Sequence, residues 1–567
     1  MAAQPFPTHA ETLGTADWET NAPLWQPGSI WLGRNAGDVA VGCLDDRHMV
    51  TVAGSRAGKG RSAIVPNLAL WPGSCVVLDP KGENATKTAR WRMQLPGHRV
   101  VVIDPFGVAH VPDELRGTFN PLDLIKENDE AAVDIAAAIG DALVVPGDSR
   151  DSHWDESARQ LLEALILHVT TAAPPERRNL AHVRRLLTEG DQEAMARDNL
   201  KSPFDALWAD MVAPEVERLD ALAGVIRGGA ESLMSMGDNE RGSVLSTTRR
   251  NTKFLDSPAI GRAIAGSTVD LDDLKTLAGG MSLYVCLPAR FLATHARFLR
   301  MVINLVLFRM EAMGLNAPAC GSSVLFVMDE FASLGRLEAI EKAAGLMAGY
   351  GVKLWPILQD LTQLKRHYKE SWETFLGNAG LLQFFGNTDL TTLEWLEKRM
   401  GQTQITITTE GSSVAEADGK SEGITQAETK GTQKSAGKTE GHNQMAPLSS
   451  LTARQGGEGI IDSLTRSGAS DVSVSGGTTT SEALSASNSE SKQTGSSKST
   501  TETRSLNQSA QVRPLCRVDE IARYFDRDTG LQVVFVSGGH PLVLKRTPYD
   551  TDPQFTALAA LERPDPA

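Results

Sequence analysis

Cysteine is scarce and scattered in this chain. Cys43, Cys75, Cys286, Cys320 and Cys516 are the five in 567 residues. No C-x-x-C pair or Cys/His cluster exists, which excludes a zinc-ribbon or disulfide framework. Cys75 and Cys286 lie in apolar runs and read as small core residues, as suits a reducing compartment. Aromatic residues are only 5% of the chain, and none occurs between Trp395 and Tyr524. A basic excess is absent too: the net charge is −14, so no wholesale basic surface faces duplex DNA. No run of 18 or more apolar residues occurs. The nearest candidate, around 301–308, is bounded by Arg300 and Arg309 and is too short to span a bilayer. Residues 1–21 carry no charged-then-apolar signal region. The chain is therefore expected to be soluble and cytoplasmic.

What is present is a series of short, nearly continuous apolar runs. They are His48–Val52, Cys75–Leu78, Val100–Ile103, Ser282–Leu287, Val324–Met328, Val352–Leu358 and Leu381–Phe385. Strands apolar on both faces belong in a parallel sheet covered by helices. The length calls for about two to four structural units. Ala158, Leu161, Leu162, Leu165, Ile166 and Val169 form an amphipathic helical face. The pattern is mostly helical from 174 to 273. The expected organisation is an N-terminal tail at 1–24, an α/β body at 25–173 and 274–400, and an all-helical domain inserted at 174–273. A Ser/Thr/Gly-rich stretch at 401–512 reads as low-complexity and disordered, with a weakly structured middle near Gly459-Ile460-Ile461. A return to the body at 513–567 carries a hairpin, Leu531–Val536 and Leu542–Lys545, turned at Gly538-Gly539.

The first apolar run leads into Ala53-Gly54-Ser55-Arg56-Ala57-Gly58-Lys59-Gly60-Arg61. Small residues there let successive backbone N–H groups converge on one anion, and the following helix presents its positive end. Lys59 would reach the β- and γ-phosphates of a nucleotide. The pattern G-x-x-x-x-G-K-[ST] is not met: Ala53 replaces the first glycine and Gly60 replaces the hydroxyl that holds Mg²⁺. An ordinary Gly-rich turn remains the competing interpretation.

Two further elements fit a nucleotide site. The run Val324–Met328 ends in Asp329-Glu330, one acid to hold Mg²⁺ and one to activate water. Gln359 ends the next run and could contact the γ-phosphate or the lytic water, or be a surface glutamine opening a helix. Lys81 and Glu83, after Asp79-Pro80, could pair with each other or line the nucleotide. Arg249, Arg250 and Arg366 are candidates to reach a neighbouring subunit's phosphate, and helix-surface arginine is the default for each.

Taken in order, the motifs resemble the coupling-protein ATPases of type IV secretion and conjugation systems, the TraG/TraD-like family. The resemblance rests on Ala53–Gly60, Pro66-Asn67-Leu68 with Trp71-Pro72-Gly73-Ser74, Leu78-Asp79-Pro80-Lys81-Gly82-Glu83 and Phe119-Asn120-Pro121-Leu122. His153-Trp154, Met328-Asp329-Glu330-Phe331, Ile357-Leu358-Gln359-Asp360, Phe385-Gly386-Asn387-Thr388-Asp389 and Arg513-Pro514-Leu515 complete it. It implies an α/β, RecA-like P-loop NTPase with a mostly parallel sheet and an inserted all-helical domain, assembled as a homo-hexamer. By the resemblance, residues 54–61 bind ATP, Asp329 serves Mg²⁺, Glu330 activates water and Gln359 senses the γ-phosphate. The implied cargo is single-stranded DNA, a relaxase–DNA complex or an effector protein, delivered to a secretion channel. Most members carry N-terminal membrane helices, which this sequence lacks. A separate membrane partner, recruiting the chain peripherally to the inner membrane, is one expectation. A non-hydrolysing adaptor and a cytoplasmic translocase unrelated to secretion are the alternatives.

Overall fold

The computed structural model describes residues 15–126, 129–144, 152–213, 220–419, 442–443 and 497–561. They divide into two compact units: residues 1–20 with 394–521, and residues 21–393 with 522–567.

The larger unit is built on an 11-stranded sheet. Its strands are β1 (Ile30–Arg34), β2 (Ala40–Cys43), β3 (His48–Ala53), β4 (Cys75–Asp79), β5 (Arg99–Ile103), β6 (Met281–Cys286) and β7 (Val324–Met328). β8 (Val352–Leu358), β9 (Ala379–Phe385), and the late strands Leu531–Val536 and Leu542–Lys545 complete it. The run β9-β3-β8-β7-β4-β6-β5 is parallel throughout. These are the apolar runs of the sequence. They are buried along almost their whole length because helices cover both faces. The hairpin Leu531–Val536/Leu542–Lys545 forms as its Gly-Gly turn predicts, with Val534 opposite Leu542. Its first strand runs antiparallel to β9, and β1 and β2 continue the antiparallel edge.

A buried polar chain crosses this junction of parallel and antiparallel strands. Trp355 Nε1 donates to Thr51 Oγ1 at 2.8 Å, and Thr51 donates to Gln383 Oε1 at 2.8 Å. Gln383 donates to Gln532 Oε1 at 2.6 Å, and Gln532 donates in turn to the Leu32 carbonyl. Each link satisfies a group that would be costly unpaired, so the chain pins the register of five strands at once.

Between β5 and β6, every element among the described residues from Ala132 to Thr276 is a helix. The helices thus begin well before residue 174, where sequence periodicity places the insertion. The amphipathic face at 158–169 lies on helix Ser152–Ala172, which packs on helix Asp220–Ser235 rather than on the sheet. Gly229 permits the approach: a Cβ there would lie 2.4 Å from Ala164 Cβ. A helix periodicity identifies an apolar face but not its partner.

In the smaller unit, Gln402–Gly419 and Ser497–Pro514 pair as one antiparallel ribbon, in register from Gln402↔Pro514 to Gly419↔Ser497. This corrects the expectation of disorder at both ends of 401–512. Backbone pairing needs no apolar face, and the Thr-rich run Thr403–Thr409 suits a strand. Thr15 bridges Thr403, and Arg513 pairs with Glu520 at 2.7 Å in the same unit. Gly459-Ile460-Ile461 lie outside the described residues.

Helix Ala289–Ala312 is long and apolar enough to cross a membrane by length and composition. Its apolar residues Phe298, Val302, Ile303, Leu305 and Val306 are buried within the larger unit.

Candidate nucleotide site

Sheet order assembles the site. β3 lies between β9 and β8, and β8 lies between β3 and β7. The carboxyl ends of neighbouring strands therefore deliver Gly54–Lys59, Gln359, Asp329-Glu330 and Asn387 to one edge, the usual ligand edge of an open α/β sheet.

The loop after β3 owes its shape to small residues. Gly54 N–H donates to the Phe385 carbonyl at 3.1 Å. A Cβ at Gly54 would lie 1.7 Å from the Gly386 carbonyl oxygen, so only glycine fits. Gly54→Ala is expected to cost about 3 kcal/mol or more, because a backbone atom must move. An unchanged urea midpoint would contradict that contact. Ala53, the departure from the consensus, is the last residue of β3 and packs on Ala57 and Phe385. Its methyl lies in the core and does not obstruct the loop. Gly58 has φ +86°, and a Cβ on Gly60 would meet nothing within 4 Å. A wide, π-type turn, Gly60–Ile64, carries the chain into helix Val65–Leu70. Ser62, the nearest hydroxyl after Lys59, is turned inward and donates to the Gly58 carbonyl at 2.9 Å.

Lys59 Nζ lies 2.9 Å from Glu330 Oε1 and 3.1 Å from Asp329 Oδ1. Burial works against the ammonium, but the two carboxylates prevail and raise its pKa above the ordinary lysine value. Burial also opposes the Glu330 carboxylate. The hydrogen bond and charge of Lys59, the Gln359 amide and the Lys81 charge outweigh it and hold the group below its ordinary value. Glu330 has φ +53°, a left-handed conformation that costs a non-glycine residue about 1–3 kcal/mol. The tight turn aims its carboxylate back at Lys59.

Gln359 Nε2 donates to Glu330 Oε2 at 3.1 Å. Asn387 Nδ2 donates to the Gln359 carbonyl at 3.1 Å, leaving Asn387 Oδ1 buried without a partner. Lys59, Asp329, Glu330 and Gln359 thus converge. Ser55, Arg56 and Arg61 are exposed, and Arg61 pairs with Asp550 at 2.6 Å. Lys81 and Glu83 are not paired with each other, and both are exposed. Arg249 is taken up by the Leu187 carbonyl, at 2.8 Å, and the Phe204 ring, while Arg250 and Arg366 are exposed.

Two residues near this edge were given no role from the sequence, although Asp79 stands in the motif Leu78–Glu83. Asp79 ends β4 and is 1% exposed; its Oδ2 accepts the Ala85 N–H at 2.8 Å. Burial pushes its pKa from 3.8 up to about 7; the Ala85 N–H opposes this, and Asp329 adds to it. The folded protein therefore holds a proton on Asp79 between about pH 4 and 7 that the unfolded chain has released. Stability falls as pH rises through that window. Asp79→Asn is expected to gain about 2 kcal/mol relative to wild type on going from pH 5 to pH 8. Urea titrations at both pH values check it, and a pH-independent difference would refute a buried, protonated Asp79. Arg546, just past the hairpin, donates to the Ala57 carbonyl and, at 2.6 Å, to the Arg527 carbonyl. It also stacks over Phe385 at 4.8 Å. Burial lowers its pKa to about 10. An isolated arginine after a strand is indistinguishable in sequence from a surface residue.

The loop, the lysine and the acids suit a polyphosphate with a divalent cation. Lys59 supplies a charge that phosphate oxygens can take over, Gly58 and Gly60 leave the loop open, and Asp329 presents a hard oxygen donor beside it.

The family model for type IV secretory system conjugative DNA transfer matches residues 8–434. Conjugal transfer protein TraG of Escherichia coli is 28% identical over 383 residues, covering 65% of this chain and 57% of the relative. Type IV secretion system-coupling protein VirD4 of Bartonella quintana is 26% identical over 388 residues, covering 66% and 56%. The chain thus spans little more than half the length of these relatives. Among solved structures, the conjugative coupling protein TrwBdeltaN70 in complex with sulphate superposes with a TM-score of 0.54 at 14% identity, covering 96% of both chains. TrwB in complex with ADP and Mg²⁺ gives 0.52 at 13%, covering 94% of both. These likenesses establish the RecA-like P-loop fold. With the motifs in order along three quarters of the sequence, the chain belongs to the type IV secretory system conjugative DNA transfer family.

Proposed function

We propose that this protein is an ATP-driven motor that couples a substrate to a type IV secretion or conjugation channel. The observation that carries it is the contact of Lys59 Nζ with both Asp329 and Glu330 across neighbouring strand ends. A binding scaffold has no need of a second acid held ionised by a lysine. The TrwB structure in complex with ADP and Mg²⁺ has the same fold and supports ATP and Mg²⁺ as ligands here.

Residues 54–61 would hold the phosphates, with backbone N–H groups and Lys59 as donors, and Asp329 would hold Mg²⁺. When bound, Mg²⁺ neutralises charge developing on the transferred phosphoryl group. Lys59 releases Glu330 when it turns to phosphate oxygens, and Glu330 then accepts the proton of the attacking water. Gln359, hydrogen-bonded to Glu330 and anchored by Asn387, senses whether that exchange has occurred.

The motor works as a homo-hexamer. Single-stranded DNA, a relaxase–DNA complex or an effector protein is its cargo. Its body lies on the cytoplasmic side, recruited to the inner membrane through channel components. Only the channel lining of such a ring need be basic, so the net charge of −14 is compatible with DNA. Mg²⁺-dependent ATP hydrolysis should rise several-fold with single-stranded DNA. Hydrolysis indifferent to DNA would favour protein cargo, and an absence of Mg²⁺-dependent hydrolysis would favour an adaptor.

A further inference from the structure

A cavity of about 920 Å³ lies within the larger unit, and its lining includes none of Lys59, Asp329, Glu330 and Gln359. Helix Ala289–Ala312 forms one wall and the chain following Glu330 another. Two arginines of that helix, Arg297 and Arg300, are three residues apart and so share a face. Arg300 is 9% exposed and Arg297 is half-buried. Buried charges are normally paired with a charge of the other sign, because desolvation is costly. Neither arginine has an ion-pair partner among the described residues. Arg297 bonds only the neutral amide of Asn251, at 3.2 Å, and Arg300 only the carbonyls of Leu334 and Arg336, each at 2.7 Å. The Nε atoms of both are buried without a partner, and so is Oδ1 of Asn304, one turn beyond Arg300. The acids around the cavity do not fill the gap. Asp141 is paired with Arg159 at 3.2 Å, while Glu311 and Glu338 are exposed at the rim.

We infer that this cavity is a binding site for a phosphate-bearing ligand, gripped by Arg297 and Arg300. Two guanidinium groups on one helical face match the several oxygens of a phosphate better than a single carboxylate. Lys342 stands at the opening, and Leu292, Leu307 and Phe308 supply apolar wall for the rest of the ligand. The volume is that of a pocket for a small organic molecule. Burial lowers the pKa of both arginines, consistent with charges that lack a counter-ion. Arg300 also ties the site to the chain after Glu330, since its Nη1 holds Leu334 and Arg336. A ligand that draws on this guanidinium acts on the segment that carries Glu330.

The test is calorimetric titration of the full chain with inorganic phosphate and, separately, with an oligothymidylate. Lys59→Ala is included to remove anion binding at the nucleotide loop. Saturable phosphate binding should persist in Lys59→Ala and weaken about tenfold or more in Arg297→Gln. Because Arg297 also holds Asn251, Asn304→Asp serves as a second variant; it sets a carboxylate beside the arginines and should weaken binding equally. If the oligothymidylate displaces phosphate, the ligand is a nucleic-acid backbone; if not, it is a small phosphate ester. The inference is overturned if neither probe binds saturably, if binding vanishes in Lys59→Ala, or if Arg297→Gln and Asn304→Asp bind like wild type. None of these outcomes depends on ATP hydrolysis, so the motor proposal stands or falls separately.

Discussion

Lys59→Ala is expected to lower Mg²⁺-dependent ATP hydrolysis by at least about 100-fold and to weaken nucleotide binding. Lys59 Nζ is within 3.1 Å of both acids, and no other cation forms an ion pair with either among the described residues. Its removal leaves two neighbouring carboxylates without an ion-pair partner among the described residues, a site that repels a polyphosphate. The effect also has a pH signature. Glu330 is held below its ordinary value of 4.5 chiefly through Lys59, against the cost of burial. A carboxyl with a lowered folded pKa contributes stability that is present above the unfolded value and lost as pH falls through the folded one. Without Lys59 that contribution disappears, so the variant's stability should change less between pH 5 and pH 3. Fluorescent-nucleotide binding, a steady-state hydrolysis assay and urea titrations at several pH values check the three parts. Wild-type turnover in Lys59→Ala would sink the motor proposal.

Glu330→Gln should separate binding from chemistry. Hydrolysis is expected to fall by about 10²–10³-fold, with nucleotide affinity within about threefold of wild type. The amide is the same size as the carboxylate, Lys59 keeps its 3.1 Å contact with Asp329, and Gln359 still has an oxygen to meet. What is lost is the proton acceptor. Because the backbone stays at φ +53°, the substitution adds little strain of its own. Single-turnover hydrolysis with direct binding measurements distinguishes the outcomes. Unchanged hydrolysis would remove Glu330 as the base, and lost binding would mean that its charge is needed to hold the site together.

The strand ends that carry the candidate site were legible because their signals are local. A parallel strand buried on both faces must be apolar along its length, so β3, β4, β7, β8 and β9 announce themselves, and their end residues follow directly. Gly54–Lys59 could be recognised because backbone convergence tolerates only small residues. The helical character of the segment between β5 and β6 was legible, but the partner of the face at 158–169 was not, since that face suits a sheet or another helix equally. The ribbon ends at Gln402–Gly419 and Ser497–Pro514 were missed because their composition lacks the apolar surface by which order is judged. Arg546 and Asp79 were assigned no role for a different reason. Their significance is burial, and burial at 1% for Asp79 depends on residues distant in the chain.

The sequence by itself determined which segments become strands and which residue types stand at their ends, because side-chain size, polarity and backbone freedom act over a few neighbours. Only the tertiary structure decided that β8 lies between β3 and β7, and hence that Gln359 meets Glu330 and Lys59 bridges Asp329 and Glu330. It alone placed Arg297 and Arg300 in a cavity without an ion-pair partner among the described residues. Strand order and burial are settled by packing of the whole sheet and its helices, a balance of many contacts that no single segment encodes.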